Sequence, residues 1–166
     1  MTPARLSPVH QLRKSRIMTV VMRPYAVSDQ RDCLALFDEN CPEYFDPGER
    51  ADYVEFLDER PADYEVCLQG RSIVGAFGVG ARAEGGLGLR WILIAPAAQG
   101  QGVGTAMMER ALEVCRASGE AALHIAASQK SAPFFARFGA RAIETVPQGW
   151  GPDLDRVEMV LENMQH

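Results

Sequence analysis

No apolar run in this chain approaches the roughly 20 residues that cross a bilayer, and no secretory h-region is present. A basic excess is missing too. The formal net charge is −5, which argues against a general binder of nucleic acid or anionic membrane, for which a basic surface is expected. The four cysteines, Cys33, Cys41, Cys67 and Cys115, form no CxxC pair and have no histidine close by. That spacing offers no zinc or other metal site, and the thiols read as reduced, buried or idle. Internal repeats and low-complexity tracts are likewise lacking.

What is there is an ordinary globular composition, 47% hydrophobic and 23% charged, in 166 residues, enough for one domain with a real core. The first 16 residues carry Arg5, Arg13, Lys14 and Arg16 without an acid. Lacking a helical period, residues 1–17 read as a flexible extension ahead of a single domain over 18–166. A cytoplasmic location is expected.

Periodicity organises the rest. Met18–Tyr25 reads as a strand. A helix follows, capped by Ser28, with Cys33, Leu36 and Phe37 on one face as far as Asn40. Asp46, Pro47 and Glu49 form a capping signal for a second helix whose buried stripe is Tyr53, Phe56 and Leu57. Tyr64–Leu68 and Ile73–Val79 flank the turn Gln69-Gly70-Arg71 as a hairpin. Leu87–Ile94, apolar at nearly every position after Arg90, reads as a central strand covered on both faces. A helix over Gly102–Ser118, a strand over Ala122–Ala127 and a helix over Ser131–Phe138 come next. Two strands, Ala140–Val146 and Arg156–Leu161, close the chain around the loop "PQGWGPDLD". The order is β-α-α-β-β-β-α-β-α-β-β, an α/β (α+β) arrangement with a mixed sheet of six to seven strands and about four helices.

The stretch "PAAQGQGVGT", Pro96–Thr105, carries the chemistry. A dinucleotide loop needs G-x-G-x-x-G, but here the third glycine falls at 104 and threonine follows. A P-loop needs Gly-Lys-Ser/Thr, and this stretch has no lysine. A tight turn that only lets helix pack on strand is the plain structural reading. The chemical reading is an anion cradle: unpaired N–H groups open the Gly102 helix, and Gly102 and Gly104 let a phosphate meet the backbone without a Cβ.

The run from Gln99 to Gly104 resembles the Arg/Gln-x-x-Gly-x-Gly/Ala signature of the GNAT superfamily of N-acetyltransferases. "ASQKSAPFFARFGA", Ala127–Ala140, resembles that family's later segment in the right order and separation. The resemblance covers about Met18–Leu161 and implies the GNAT fold, an acetyl-CoA cosubstrate and an amine acceptor, small molecule or peptide. It implies that pantetheine lies between two splayed strands against the backbone of Ile92 and Ile94. The pyrophosphate would take amides from Gln101, Gly102, Val103, Gly104 and Thr105, with Gln99 and Gly100 beside it. Ser128 stands where many members have asparagine, and Phe135 where many have the tyrosine that protonates the CoA thiolate.

The acceptor side is less determined. Glu43 and Tyr44 lie in the loop that borders the acceptor in similar proteins, as base and proton carrier or as part of a solvated surface. His124 is a base near the splay or a hydrogen-bonded core residue. Arg90 and Trp91 are acceptor contacts whose side chains should alternate across the strand, so that at most one faces the pocket. Trp150 walls the pocket or packs over the sheet. An N-acetyltransferase acting by direct attack is the leading reading, and a catalytically silent CoA-binding module is the second. GNAT-like domains often pair, so a homodimer is compatible with the sequence, although no residue specifies its interface.

Overall fold

The computed structural model describes residues 20–162. The extension read over 1–17 and the start of the expected first strand, Met18 and Thr19, lie outside the described residues. The strands are β1 (Val21–Pro24), β2 (Tyr64–Gln69), β3 (Ser72–Ala81), β4 (Leu87–Ile94), β5 (Ala122–Ala127), β6 (Arg141–Gly151) and β7 (Leu154–Glu162). The helices are α1 (Gln30–Glu39), α2 (Arg50–Asp58), α3 (Val103–Ala117) and α4 (Ala132–Ala136). The strands form one seven-stranded sheet in the order β1-β2-β3-β4-β5-β7-β6. Every neighbouring pair is antiparallel except β4 and β5.

Each face of the sheet is covered because each helix carries an apolar stripe. Leu36 and Phe37 of α1 and Tyr53 and Leu57 of α2 bury one face, against Tyr64, Val66, Ala76 and Leu93. Met107, Met108, Ala111 and Cys115 of α3 bury the other, against Phe77, Leu123 and Ile125. Burial raises the thiols of Cys33 and Cys67 to about 12, which keeps them protonated and unreactive at neutral pH. No helix among the described residues is long and apolar enough to cross a membrane.

The two middle strands part early. β4 and β5 are joined only at Leu87↔Leu123 and Gly88↔His124, although β4 runs on to Ile94 and β5 to Ala127. The cause is local. Ala76 faces Leu93 and Gly78 faces Arg90, so Trp91 and Ile92 together oppose Phe77 alone. Such a bulge bends and over-twists its strand, and this one begins just past the last shared rung. Trp91 sits at φ +39°, a left-handed conformation that tryptophan rarely adopts. Its carbonyl accepts from the Tyr64 hydroxyl at 2.6 Å, and the Tyr64 and Tyr53 hydroxyls lie 2.8 Å apart. Its ring packs 4.8 Å from that of Tyr53 and stacks on Phe45 at 6.0 Å.

Three expectations change. The "PQGWGPDLD" segment is mostly strand: β6 continues through Trp150 to Gly151 and turns at Pro152 and Asp153 into β7. Its glycines and proline read as loop, but the ladder absorbs them as an irregularity between Val146 and Gly151. Ser28 does not cap α1, since it lies inside a 3₁₀ turn, Val27–Asp29, led by Ala26. Asp29 does the local bonding instead, accepting from the Ala26 N–H at 2.9 Å and pairing with Arg23 at 2.7 Å. Finally, the helix expected over Ser131–Phe138 shortens to α4.

Replacing Tyr64 by Phe strands the Trp91 carbonyl and leaves the Tyr53 hydroxyl only the Cys33 thiol as partner. Urea unfolding should show a loss of about 1–3 kcal/mol, with a change in tryptophan emission from the released Trp91 ring. Unchanged stability would mean that the hydroxyl does not hold the bulge.

Candidate active site

A cavity of about 770 Å³ opens where β4 and β5 part. Its inner wall is the free edge of β4. The Ala95 N–H bonds to the Val74 carbonyl at 2.8 Å, so by strand alternation the backbone groups of Ile92 and Ile94 point away from β3, into the gap. The Ile94 carbonyl is already taken. Asn40, at the end of α1 and only 4% exposed, donates its amide to Ile94 O at 3.0 Å and to Leu36 O at 2.8 Å. Both partners are acceptors, which orients the amide and leaves its oxygen on the cavity side. The Ile92 and Ile94 N–H groups remain as donors.

Beyond Ile94 the chain turns through Pro96–Ala98 into the glycine loop. Gly100 and Gly102 have φ of +79° and +87°, conformations glycine adopts without a Cβ penalty. A Cβ on Gly100 would meet nothing within 4 Å. Gly102 leads α3, and Ala106 is the first amide to bond back along it, to Gly102 O at 3.0 Å. The N–H groups of Val103, Gly104 and Thr105 therefore open the helix without intrahelical acceptors. Gln99, Gly100, Gly102, Gly104 and Thr105 line the cavity. Gln101 and Val103, expected to offer only their amides, do not line it with their side chains. Val103 is buried in the core, and Gln101 accepts from Gln69 and donates to Ala97 O. Only their amides can serve the cradle.

Gly104 lines the cavity as expected and has a second, packing reason to be glycine. A Cβ there would fall 2.8 Å from the Phe134 ring and 3.1 Å from Ile94 Cδ1. The glycine lets α4 pack against the start of α3. Ser128 is buried and caps the α4 turn, its hydroxyl accepting from the Lys130 and Ser131 N–H groups at 3.2 and 3.3 Å. Phe135 is 3% exposed at the cavity wall. Arg137 adds positive charge to this end, its guanidinium 5.3 Å over the Phe134 ring, and Lys130 also lines the cavity.

The far end has another character. Tyr44, Phe45, Trp91 and Trp150 line it, with one carboxylate, Glu49. The Trp150 indole N–H donates to the Ala127 carbonyl at 2.9 Å, so its polar edge is satisfied and its ring forms wall. The hairpin tip and the loop before α2 meet closely, because a Cβ on Gly151 would lie 2.5 Å from the Asp46 carboxyl carbon. Glu49 accepts from the Asp46 N–H at 2.9 Å through Oε2, while Asp46 accepts from the Gly48 N–H at 2.8 Å. Burial pushes the Glu49 carboxyl up to about 6. The Asp46 N–H works against that shift, and the charges of Asp46 and Asp52 add to it.

Arg90 and Trp91 lie on the same face of the sheet rather than opposite ones, because the bulge breaks the alternation between them. Both line the cavity, but the Arg90 guanidinium turns back to the Ala81 carbonyl at 2.9 Å and lies 3.8 Å from Asp63. Gly80 leaves the space for it. Glu43 is exposed and lies outside the cavity. His124 is also outside, on the last shared rung of β4 and β5, and lines a shallower depression of about 260 Å³. The structure thus brings Tyr44 to the cavity and leaves Glu43 and His124 away from it. No group of three or more His, Cys, Asp or Glu that could hold a metal occurs among the described residues.

A strand edge with free amides, a glycine-led helix start and a second chamber on one cavity are the ground for comparison with known proteins. The model of the acetyltransferase (GNAT) family matches residues 33–140. The chain belongs to this family. Its fold recurs in solved structures. A GNAT-family protein from Desulfovibrio desulfuricans is 23% identical, with a TM-score of 0.74 over 88% of this chain and 100% of that one. YncA from Salmonella typhimurium, solved with acetyl-CoA, is 17% identical, with a TM-score of 0.66 over 89% and 96% of the two chains. An aminoglycoside 6'-N-acetyltransferase solved with coenzyme A is 12% identical, with a TM-score of 0.70 over 88% and 98%. No curated protein sequence matches the chain.

Within this GNAT chain, sequence reasoning missed Glu49, Asn40, Lys130 and Arg137 as site residues. Glu49 was legible only as the closing residue of a capping signal, and Asn40 only as a helix end. Lys130 and Arg137 occupy unspecified positions of the Ala127–Ala140 pattern. Replacing Gly104 by Ala should press Phe134 and Ile94 apart. Calorimetry should then show acetyl-CoA affinity falling at least tenfold, with stability lower by roughly 1–3 kcal/mol. Wild-type stability in this variant would contradict the packing role, and wild-type affinity would contradict its link to the cradle.

Proposed function

We propose that this chain is an acetyl-CoA-dependent N-acetyltransferase that acetylates a primary amine by direct attack. The observation that carries the reading is the continuity of one cavity. A backbone-lined gap and a glycine cradle lie at one end, and a carboxylate-bearing aromatic chamber at the other. The donor end fits acetyl-CoA in three respects. The Ile92 and Ile94 N–H groups suit an extended amide-bearing arm, the Gly102–Thr105 amides suit a pyrophosphate, and Arg137 suits further phosphate charge. Bound acetyl-CoA supplies an activated acyl group.

The protein's own work is on the acceptor. A lysine-like amine is protonated at neutral pH, and freeing its lone pair costs on the order of 4–5 kcal/mol. Glu49 is mostly ionised at pH 7 yet basic enough to take that proton, directly or through water. The Ile94 N–H, on the free edge, can polarise a carbonyl placed against it. Phe135 has no proton to give, so the leaving thiolate takes one released from the amine or from water. The GNAT family match, together with a carboxylate on the same cavity as the free strand edge, favours an enzyme over a silent CoA-binding module.

The charges acting on Glu49 are Asp46 and Asp52 from its own segment; the Cys41 thiol of the preceding loop is within its field, and Tyr44, Arg90, Trp91 and Trp150 share its cavity. None is a histidine, so the acid limb should belong to the carboxylate. The base works only when ionised. kcat/KM should therefore fall as the pH drops through about 6 and level off above it, as far as the amine's own titration allows. Thiol release from acetyl-CoA across a panel of amines measures this. Glu49→Gln should lower turnover by about 10²-fold or more and abolish that limb, with acetyl-CoA binding retained. Tight acetyl-CoA binding with no amine raising thiol release would refute the enzyme reading.

A further inference from the structure

The acceptor chamber is more specific than "a primary amine". Its walls are the rings of Tyr44, Phe45, Trp91 and Trp150, and Glu49 is the one carboxylate on the cavity among the described residues. Two of those rings are fixed before any ligand arrives. Trp91 is wedged by the bulge between Tyr53 and Phe45, and Trp150 is tied to Ala127 O. Glu49 uses Oε2 on the Asp46 N–H, which leaves Oε1 for a ligand. Aromatic faces attract a cation through their quadrupoles and an apolar skeleton through burial. Aromatic walls do not satisfy a set of hydroxyls, and one carboxylate does not neutralise several ammonium groups.

The charge that an amino acid's carboxylate would need is also committed elsewhere. Arg90, the cation of this end, has its guanidinium turned over Gly80 to Ala81 O and towards Asp63. Of the other two cations on the cavity, Arg137 lies over Phe134 beside the glycine loop, and Lys130 sits in the turn before α4, its N–H on the Ser128 hydroxyl. The hairpin tip at Gly151 lies against Asp46, whose N–H holds Glu49, so the space beside the carboxylate is bounded by that contact, which favours a compact ligand.

We infer that the acceptor is a small monoamine: one primary ammonium on a hydrophobic, ring-bearing body, with the ammonium on Glu49 and the body between Phe45, Trp91 and Trp150. This rests on the acetyltransferase reading for its chemistry but not for its binding, so the two can fail separately.

The chain has two tryptophans, and both line the chamber, so intrinsic emission reports its occupancy directly. The experiment titrates CoA-saturated protein with 2-phenylethylamine, spermidine, kanamycin, L-phenylalanine and a Phe-Gly-Gly amide, and follows thiol release from acetyl-CoA in parallel. The expected result is a saturable emission change with 2-phenylethylamine, at least tenfold tighter than with each of the other four. Glu49→Gln should weaken it at least tenfold while CoA affinity and the melting temperature stay put, since glutamine can still accept from the Asp46 N–H. Tighter binding of spermidine, kanamycin or phenylalanine overturns the inference, and so does equal affinity in the variant or no saturable change. Tighter binding of the Phe-Gly-Gly amide overturns it too, by assigning the chamber to peptide N-termini. Kanamycin turnover without phenylethylamine turnover would sink the inference and leave the acetyltransferase standing. Phenylethylamine binding with no thiol release from any amine would do the reverse.

Discussion

The carbonyl of Trp91 accepts a hydrogen bond from the buried hydroxyl of Tyr64, and much of the site follows from that contact. A bulge leaves one residue of the strand without its ladder partner, and a buried carbonyl so freed costs about 1–3 kcal/mol if nothing takes it. Here a tyrosine pair takes it, and burial holds both phenols neutral and able to donate by raising them well above their usual range. With the bulge secured, three consequences appear together. β4 leaves β5 after two rungs, the Ile92 and Ile94 amides face open space, and Trp91 swings onto the face that already carries Arg90. The gap, its donors and an acceptor wall thus share one backbone irregularity.

Charge is divided along the resulting cavity in a way that suits its two guests. Arg137 and the first amides of α3 make the glycine-loop end positive. The other end holds a carboxylate among rings. A chain of net charge −5 can therefore attract a polyanion locally, because field depends on where charges sit rather than on their sum. Asn40 joins the two halves: it satisfies the Ile94 carbonyl from the end of α1, which leaves the neighbouring N–H as the free group on that edge.

Much of the fold was legible because its signals are local and redundant. The Asp46-Pro47-Glu49 cap, the 3.6-residue stripe of α3 and the glycine offsets after Ile94 each specify an element on their own, and the element order followed. The β6–β7 hairpin was hidden by composition, since glycine and proline lower strand propensity while cross-strand bonds through Asp155 and Gln129 hold the segment anyway. The bulge was hidden for the opposite reason: "WILI" after Arg90 is so uniformly apolar that no break in period marks it. The site divided in the same way. The donor loop announces itself through backbone-enabling glycines. Glu49 has an ordinary capping role that masks its second face, and Arg90 and Trp91 were assigned to opposite faces by a two-residue rule that the bulge suspends. His124 and Glu43 were chosen by residue type and position, and neither reaches the cavity.

The central claim is that the free edge of β4 is the seat of the acetyl donor. Assigned ¹H–¹⁵N spectra recorded with and without saturating acetyl-CoA test it most directly. The Ile92 and Ile94 amides should shift strongly and gain exchange protection, while the Ala95 amide, already bonded to Val74 O, should change little. Saturation of the protein with acetyl-CoA while Ile92 and Ile94 stay unmoved would contradict the account.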